Sequence, residues 1–175
     1  STGASSYVAS GRAMGIDGFE SFTGGTQADI FNVGTTLTAN LTGAGGADQV
    51  NLQNNVVLTG QVSTGDGDDT VTLGNNANIV NTSGVELALG AGSDTLNLAA
   101  FTTARDVRLS GLTTGGDGGY DGEEFLLNLD FTSLDAVVGS GVTTGDSLTG
   151  VSTLASRWII NGVGAQSTYS DTGLT

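Results

Sequence analysis

Four short stretches of this chain can be laid over one another on an aspartate, and that alignment constrains the fold more than any other feature. The stretches are TGGTQADIFNV, AGGADQVNL, TGDGDDTVTL and LGAGSDTLNL, with Asp29, Asp48, Asp69 and Asp94 as shared anchors. Successive anchors are 19, 21 and 25 residues apart. Two residues after each anchor stand Phe31, Val50, Val71 and Leu96, and four after stand Val33, Leu52, Leu73 and Leu98. Seven residues before the anchors stand Phe22, Leu41, Val62 and Leu87. All these columns are apolar in a chain that is only 37% hydrophobic, so the repeat marks a recurring structural unit.

The columns carry a shape. Apolar residues at anchor+2 and anchor+4, with Asn or Thr between them in all four repeats, follow the period-2 alternation of a half-buried strand. The column seven residues upstream belongs to a second short strand, as in VVLTGQV and VELAL. Each repeat reads strand, Gly/Asp turn, strand, loop. About twenty residues is too short for a crossover helix and suits one coil of a parallel β-solenoid. Stacking such coils at about 4.8 Å turns each column into a continuous apolar core. No segment shows a capped helical period, so the chain is expected to be all-β: a right-handed parallel β-solenoid, β-roll or β-helix-like, with an irregular C-terminal β region. Residues 1–15 are expected to form an N-terminal cap or subunit contact, 16–112 the coils, and 113–175 less regular β-rich coils and a C-terminal cap.

Composition narrows the chemistry. There are 30 Gly and no Pro, and 18 acidic residues face only four Arg, for a formal net charge of −14. This surplus, in a chain rich enough in Val, Leu, Ile and Phe to fold, fits an extracellular protein that holds divalent cations. No basic patch exists to release counterions from nucleic acid or to seek an anionic membrane, and no apolar run is long enough to insert into one. Without His or Cys, zinc sites, imidazole-based triads, thiol nucleophiles and disulfides are excluded. The acid density peaks at STGDGDDTVTLG, where Asp66, Asp68 and Asp69 crowd one turn.

The pattern at Gly65-Asp66-Gly67-Asp68-Asp69-Thr70-Val71-Thr72 resembles the nonapeptide of the hemolysin-type calcium-binding (RTX) family, and Gly90-Ala91-Gly92-Ser93-Asp94-Thr95-Leu96-Asn97 matches it equally well. Ala44-Gly45-Gly46-Ala47-Asp48 lacks the first Gly of the pattern, and Gly25-Thr26-Gln27-Ala28-Asp29 lacks the second. The resemblance covers roughly residues 16 to 100. It implies a β-roll in which Gly turns and the aspartates of successive coils bind Ca²⁺. Asp69 and Asp94 would be core ligands, Asp66 or Asp68 would assist, and Asp48, Gly65, Gly67, Gly90 and Gly92 would complete the set. The motif recurs once per coil here, whereas RTX rolls carry it on both edges, so at most one edge would hold ions. Single-motif coils also resemble the solenoid stretches of large bacterial surface adhesins, filamentous-haemagglutinin-like and surface-layer proteins among them.

Beyond the repeats, TTGGDGGYDGEEF (residues 113 to 125) fails as an EF-hand: a loop starting at Asp117 has Gly119 at position three and Asn128 at position twelve. It reads as a Gly-rich surface loop. FLLNLDF (125 to 131) reads as a buried strand, and RWIINGVG (157 to 164) as a strand with a turn at Asn161-Gly162. Trp158 and Tyr120 suit a sugar platform less well than a core or end-cap role. The tail GAQSTYSDTG follows the head GASSYVASG in composition and order, with Tyr169 on Tyr7 and Gly173 on Gly11. That suggests a module of a tandem array or a subunit that stacks end to end.

Three functional classes compete. A calcium-rigidified structural or adhesive module, secreted or on a bacterial cell surface, uses every feature above and needs no catalytic residue; neighbouring modules or a glycan or other surface ligand would be its partners. A β-helix polysaccharide lyase or hydrolase is the alternative. It would need a carboxylate pair free of the Gly turns, and Arg105-Asp106-Val107-Arg108, its one plausible cleft, reads better as a surface charge pair. Ice binding needs a ranked Thr-x-Thr array. Only Thr70-Val71-Thr72 supplies one, against Ile30/Asn32, Gln49/Asn51 and Thr95/Asn97.

Overall fold

The computed structural model describes residues 5–9, 12–114, 118–153, 157–159 and 168–170. Antiparallel β1 (Ser5–Ala9) and β2 (Arg12–Ile16) precede the coils as a separate two-stranded sheet. The first coil holds β3 (Ser21–Thr23), β4 (Ile30–Val33) and β5 (Leu37–Thr38). The second holds β6 (Asn40–Gly45), β7 (Gln49–Leu52) and β8 (Val57–Thr59). The third holds β9 (Val62–Asp66), β10 (Thr70–Leu73) and β11 (Asn78–Val80). The fourth supplies β12 (Leu87–Ala91) and β13 (Thr95–Asn97). Every pairing among β3 to β13 is parallel, which defines an all-β parallel solenoid of about four turns.

The columns read from the sequence are the registers of the sheets. Phe22, Leu41, Val62 and Leu87 stack across β3, β6, β9 and β12. Phe31, Val50, Val71 and Leu96 stack across β4, β7, β10 and β13. Val50, Val62, Val71, Leu87 and Leu96 are all buried in one continuous core. The segment read as a loop between coils is instead a third side, β5, β8 and β11, which adds a buried column of Leu58 and Ile79 with Leu37 half-buried at its end. Its entry corner is turned by Asn55 and Asn76 at φ 61° and 58°, a left-handed conformation that Asn tolerates better than most residues.

After β13 the chain leaves the stack. β14 (Asp106–Leu112), β15 (Tyr120–Glu124) and β16 (Leu129–Leu134) form an antiparallel meander. β16 then rejoins the solenoid, with Phe131 over Leu87, and β17 (Ala136–Val138) sets Val137 over Leu96 as a further rung. β18 (Ser147–Thr149) runs parallel to β14, and β19 (Arg157–Ile159) with β20 (Thr168–Ser170) makes a second separate antiparallel pair.

Two local readings are corrected here. FLLNLDF is only half strand: Phe125 and Leu126 lie exposed in a turn that ends at Asn128 with φ 52°, and burial begins at Leu129. The acidic half of TTGGDGGYDGEEF is strand β15, whose Gly122 packs tightly under Phe131, so it is not a loop. Strand β19 appears where RWIINGVG begins, while the turn at Asn161-Gly162 lies outside the described residues.

Truncating Val71 to Ala removes methyl groups from the fully enclosed centre of the stack. We expect a loss of about 1–3 kcal/mol, read as a lower urea midpoint at unchanged slope.

Candidate functional site: a carboxylate column along one corner

The anchor aspartates sit where the chain turns between two sides of the coil, and there the inter-strand ladder would break. The N–H of Asp29 donates to Oδ1 of Asp48 at 2.7 Å, that of Asp48 to Oδ1 of Asp69 at 2.7 Å, and that of Asp69 to Oδ1 of Asp94 at 2.9 Å. The return bond runs backbone to backbone: the N–H groups of Gln49, Thr70 and Thr95 donate to the carbonyls of Asp29, Asp48 and Asp69. Each rung is a closed pair in which the carboxylate stands in for the missing carbonyl.

The column extends beyond the four anchors. The N–H of Asp94 donates to Oδ2 of Asp135 at 3.0 Å while Ala136 donates back to the Asp94 carbonyl. The same arrangement joins Arg105 to Asp146, with 2.8 Å out and 2.9 Å back through Ser147. It recurs with a glutamate where Asp106 donates to Glu124 at 3.0 Å and Phe125 donates back to the Asp106 carbonyl. The repeat alignment misses Asp135 and Asp146 because no Gly-x-Gly precedes them. The surviving signal is Asp-x-apolar, in Asp135-Ala136-Val137 and Asp146-Ser147-Leu148.

The glycines have a structural cause. Gly67 and Gly92 sit at φ 133° and 140°, and a Cβ on either would collide with the carbonyl oxygen of Gly46 or Gly67 in the preceding coil. Gly65 and Gly90 stack in register with Ala44. Ala44, at the position of the missing first Gly, still adopts φ 85°. Turn backbones are bonded directly from coil to coil: the N–H of Gly46 to the Asp66 carbonyl at 2.8 Å, and that of Gly67 to the Ala91 carbonyl at 2.7 Å.

The candidate calcium ligands are therefore divided. Asp48, Asp69 and Asp94 are buried, whereas Asp66 and Asp68 are exposed on the outside of the turn, where Oδ1 of Asp68 accepts the N–H of Ser93. Among the described residues no group of three or more acidic side chains is placed to hold a metal ion. One feature favours a positive occupant nonetheless: Oδ2 of Asp48, of Asp69 and of Asp94 is buried without a hydrogen-bond partner. Such atoms carry a desolvation cost of about 1–3 kcal/mol each, larger when charged. Burial pushes the Asp94 carboxyl up to about 6, against the Asp69 N–H it accepts and with the charges of Asp69, Asp135 and Asp68 adding to the rise. Burial likewise raises Asp48.

The Arg pair is also structural. Arg108 clasps Asp106, lies over the Phe125 ring and holds Asp106 below the ordinary carboxylate range. Arg105 does not face water, as expected of a surface pair; it is buried, 3.8 Å from Glu124 and over the Phe101 ring. Both Glu124 oxygens accept backbone N–H groups, from Asp106 and Leu127, so this carboxylate is spoken for as a staple. The shallow depression lined by Leu52, Gln53, Asn54, Thr72 and Gly74 holds no carboxylate.

No family model matches the chain, and neither a curated protein nor a solved structure matches it significantly. The class is thus defined by the fold alone: a parallel β-solenoid whose coils are stapled by acidic side chains.

Two outcomes follow from this geometry. Ala44→Gly relieves a left-handed Ala at the cost of chain entropy, and should gain about 0.5–1 kcal/mol in denaturant unfolding. For pH, a carboxyl raised from 3.8 to about 6 binds its proton more tightly in the folded chain, so stability should rise as pH falls through about 6 towards 3.8. Asp106 is held down by Arg108; at Asp146 burial is outweighed by the Arg105 and Ser140 donors, so both act in the opposite sense and lose their contribution only below 3.8. Melting with a chelator present should therefore peak between about 4 and 6. Asp94→Asn keeps the acceptor for the Asp69 N–H without the charge, and should raise Tm at pH 8 while flattening the acid-side gain. A Tm that climbs steadily from pH 5 to 8 would contradict the buried-charge account.

Proposed function

We propose that this chain is a structural, adhesive-type β-solenoid module of an extracellular bacterial surface protein, one that supplies a stiff spacer and needs no catalytic centre. The observation that carries the reading is the unbroken run of carboxylate–amide rungs from Asp29 to Asp135. Each coil is tied to the next by its strands and, at one corner, by a charge-assisted bond, the stronger kind of hydrogen bond. Repeat stability of this sort is built from neighbour interfaces, which suits a rod under load. The acid surplus on a chain with four Arg keeps such a rod soluble and apart from nucleic acid. The assignment to the secreted or cell-surface compartment rests on the same composition and on the RTX-like and adhesin-like repeat.

Calcium belongs to this proposal through one feature, the three partnerless oxygens on Asp48, Asp69 and Asp94, with Asp66 and Asp68 exposed nearby in the turn. A cation would satisfy at pH 7.5 what a proton satisfies at Asp94 below about pH 6. Melting at pH 7.5 in millimolar Ca²⁺ against a chelator tests this. A ligand at a hundred times its Kd adds about 2.7 kcal/mol, or roughly 5–10 °C in Tm for a chain of this size. Asp69→Ala should abolish that increment. An unchanged Tm removes calcium from the reading and leaves a module held by its staples alone.

A further inference from the structure

The head and tail hairpins are the only described strands paired in sheets of their own, apart from the three sides of the solenoid. In the head, β1 lies antiparallel to β2, with Tyr7 opposite Met14 and Ala9 opposite Arg12. In the tail, β19 lies antiparallel to β20, with Tyr169 opposite Trp158 and Ser170 opposite Arg157. The strands correspond in sequence. Ser5, Tyr7 and Gly11 of the head align without gaps on Ser167, Tyr169 and Gly173 of the tail, and Ser6 falls on Thr168. Their partners correspond too: β2 opens Arg12 and runs into Ile16-Asp17-Gly18, while β19 opens Arg157 and runs into Ile160-Asn161-Gly162, one residue shorter. Each hairpin is thus one Tyr strand against one Arg strand. The chain order is reversed, and the register differs by one residue: Tyr7 lies opposite the second residue after Arg12, Tyr169 opposite the first after Arg157.

That reversal matters because an antiparallel pair is held by its ladder and side chains, and these are indifferent to which chain supplies each strand. A lone two-stranded hairpin is marginal in water, so what seats it decides its partner. The tail Tyr strand is seated by a socket. Oη of Tyr169 accepts the N–H of Val151 at 2.8 Å, and its ring meets the Tyr120 ring edge-on, with centroids 5.3 Å apart and planes at 63°. The same ring lies so close over Gly150 that a Cβ there would overlap it. The socket selects an aromatic ring with a polar tip, and the one other described strand of matching pattern is β1.

We propose that β1 of a second copy of this chain exchanges with β20, pairing with β19 and placing its Tyr7 in the Tyr120–Gly150–Val151 socket. The contact joins the head of one copy to the tail of another, so it is heterologous and propagates as an open filament unless the rotation closes. It rests on the module reading above, for which it names the partner and the joint.

Cross-linking tests it cleanly, because the chain has no Cys. In the exchanged pair Ser6 occupies the place of Thr168, opposite Ile159. Full chains carrying Ser6→Cys and Ile159→Cys are mixed and oxidised, and the disulfide-linked heterodimer is quantified. Adding Tyr7→Ala to the first chain should cut its yield about tenfold, the scale of an aromatic anchor lost from its pocket. Adding Tyr169→Ala to the second should raise the yield several-fold, since the resident strand no longer holds the socket. No heterodimer, or a yield indifferent to Tyr7→Ala, overturns the exchange. The parent's thermal transition, followed by circular dichroism, separates the two ideas. If it is a cooperative β transition and no heterodimer forms, the exchange fails and the module stands. If it is absent, the module reading itself fails.

Discussion

A backbone N–H that reaches a corner of the coil with no carbonyl to meet it is the constraint on which this structure turns. In a parallel sheet each strand bonds the one above, but at a corner the carbonyls swing away from the stack axis. An unmet buried amide costs about as much as a lost hydrogen bond. Asp is the shortest side chain that puts a charged acceptor back on the axis, and the rungs at Asp48, Asp69 and Asp94 hold it within 2.7–2.9 Å of the preceding amide. Asn plays the role at other corners in the opposite direction, as where Gln61 and Asn75 donate to Asn40 and Asn54 of the coil before.

The choice of a charged acceptor has a cost and a consequence. The cost is a column of carboxylates in which Asp48, Asp69 and Asp94 each leave a second oxygen without a partner, while the described Arg side chains, Arg105 and Arg108, serve the meander at Glu124 and Asp106. The consequence is register. Sliding one coil by a single residue would exchange its core and solvent faces and carry the carboxylate off its amide. Buried polar groups that fix registry are the best-attested use of such otherwise expensive interactions. Here the apolar columns make the coils stack, and the aspartates fix where they stack.

Much of this was written in the sequence and some of it was not, for physical reasons. The columns through Val62 and Val71 were legible because period-2 alternation repeats at nearly constant spacing beside a Gly/Asp turn. The third side was not, since β5, β8 and β11 span only two or three residues and offer a single inward position each, such as Leu58 and Ile79. Asp135 escaped because the β14–β16 meander separates it from Asp94 by 41 residues and no glycine announces it. Arg105 was misjudged because alternation along a strand does not reveal that Phe101 and Glu124 come from outside that strand to enclose it. The anchors themselves were found, but not their partners: Asp48, Asp69 and Asp94 each accept an amide from the adjacent coil, while Asp29, at the end of the column, accepts the N–H of Gly25 in its own turn.

This bears on what a Gly-x-Gly-x-Asp turn means. Gly67 and Gly92 are required by the close approach of the coil before them, and Asp69 and Asp94 by the amides they accept. Those four residues would be selected in a tightly wound solenoid whether or not an ion ever bound. The information about a ligand is therefore concentrated in the residues the packing does not require. Those are Asp66, with its carboxylate in solvent, and the second oxygen of each buried anchor. Asp68 is already half accounted for by Ser93. The second coil has Ala44 held at φ 85° where the pattern has its first Gly, and Gly45 and Ala47 where the third coil has Asp66 and Asp68. It keeps its staple to Asp69 without any acid at the outer turn. The staple is thus separable from the acidic turn, and the third coil, where GDGDD adds Asp66 and Asp68 to it, carries acidic side chains beyond those the staple itself uses.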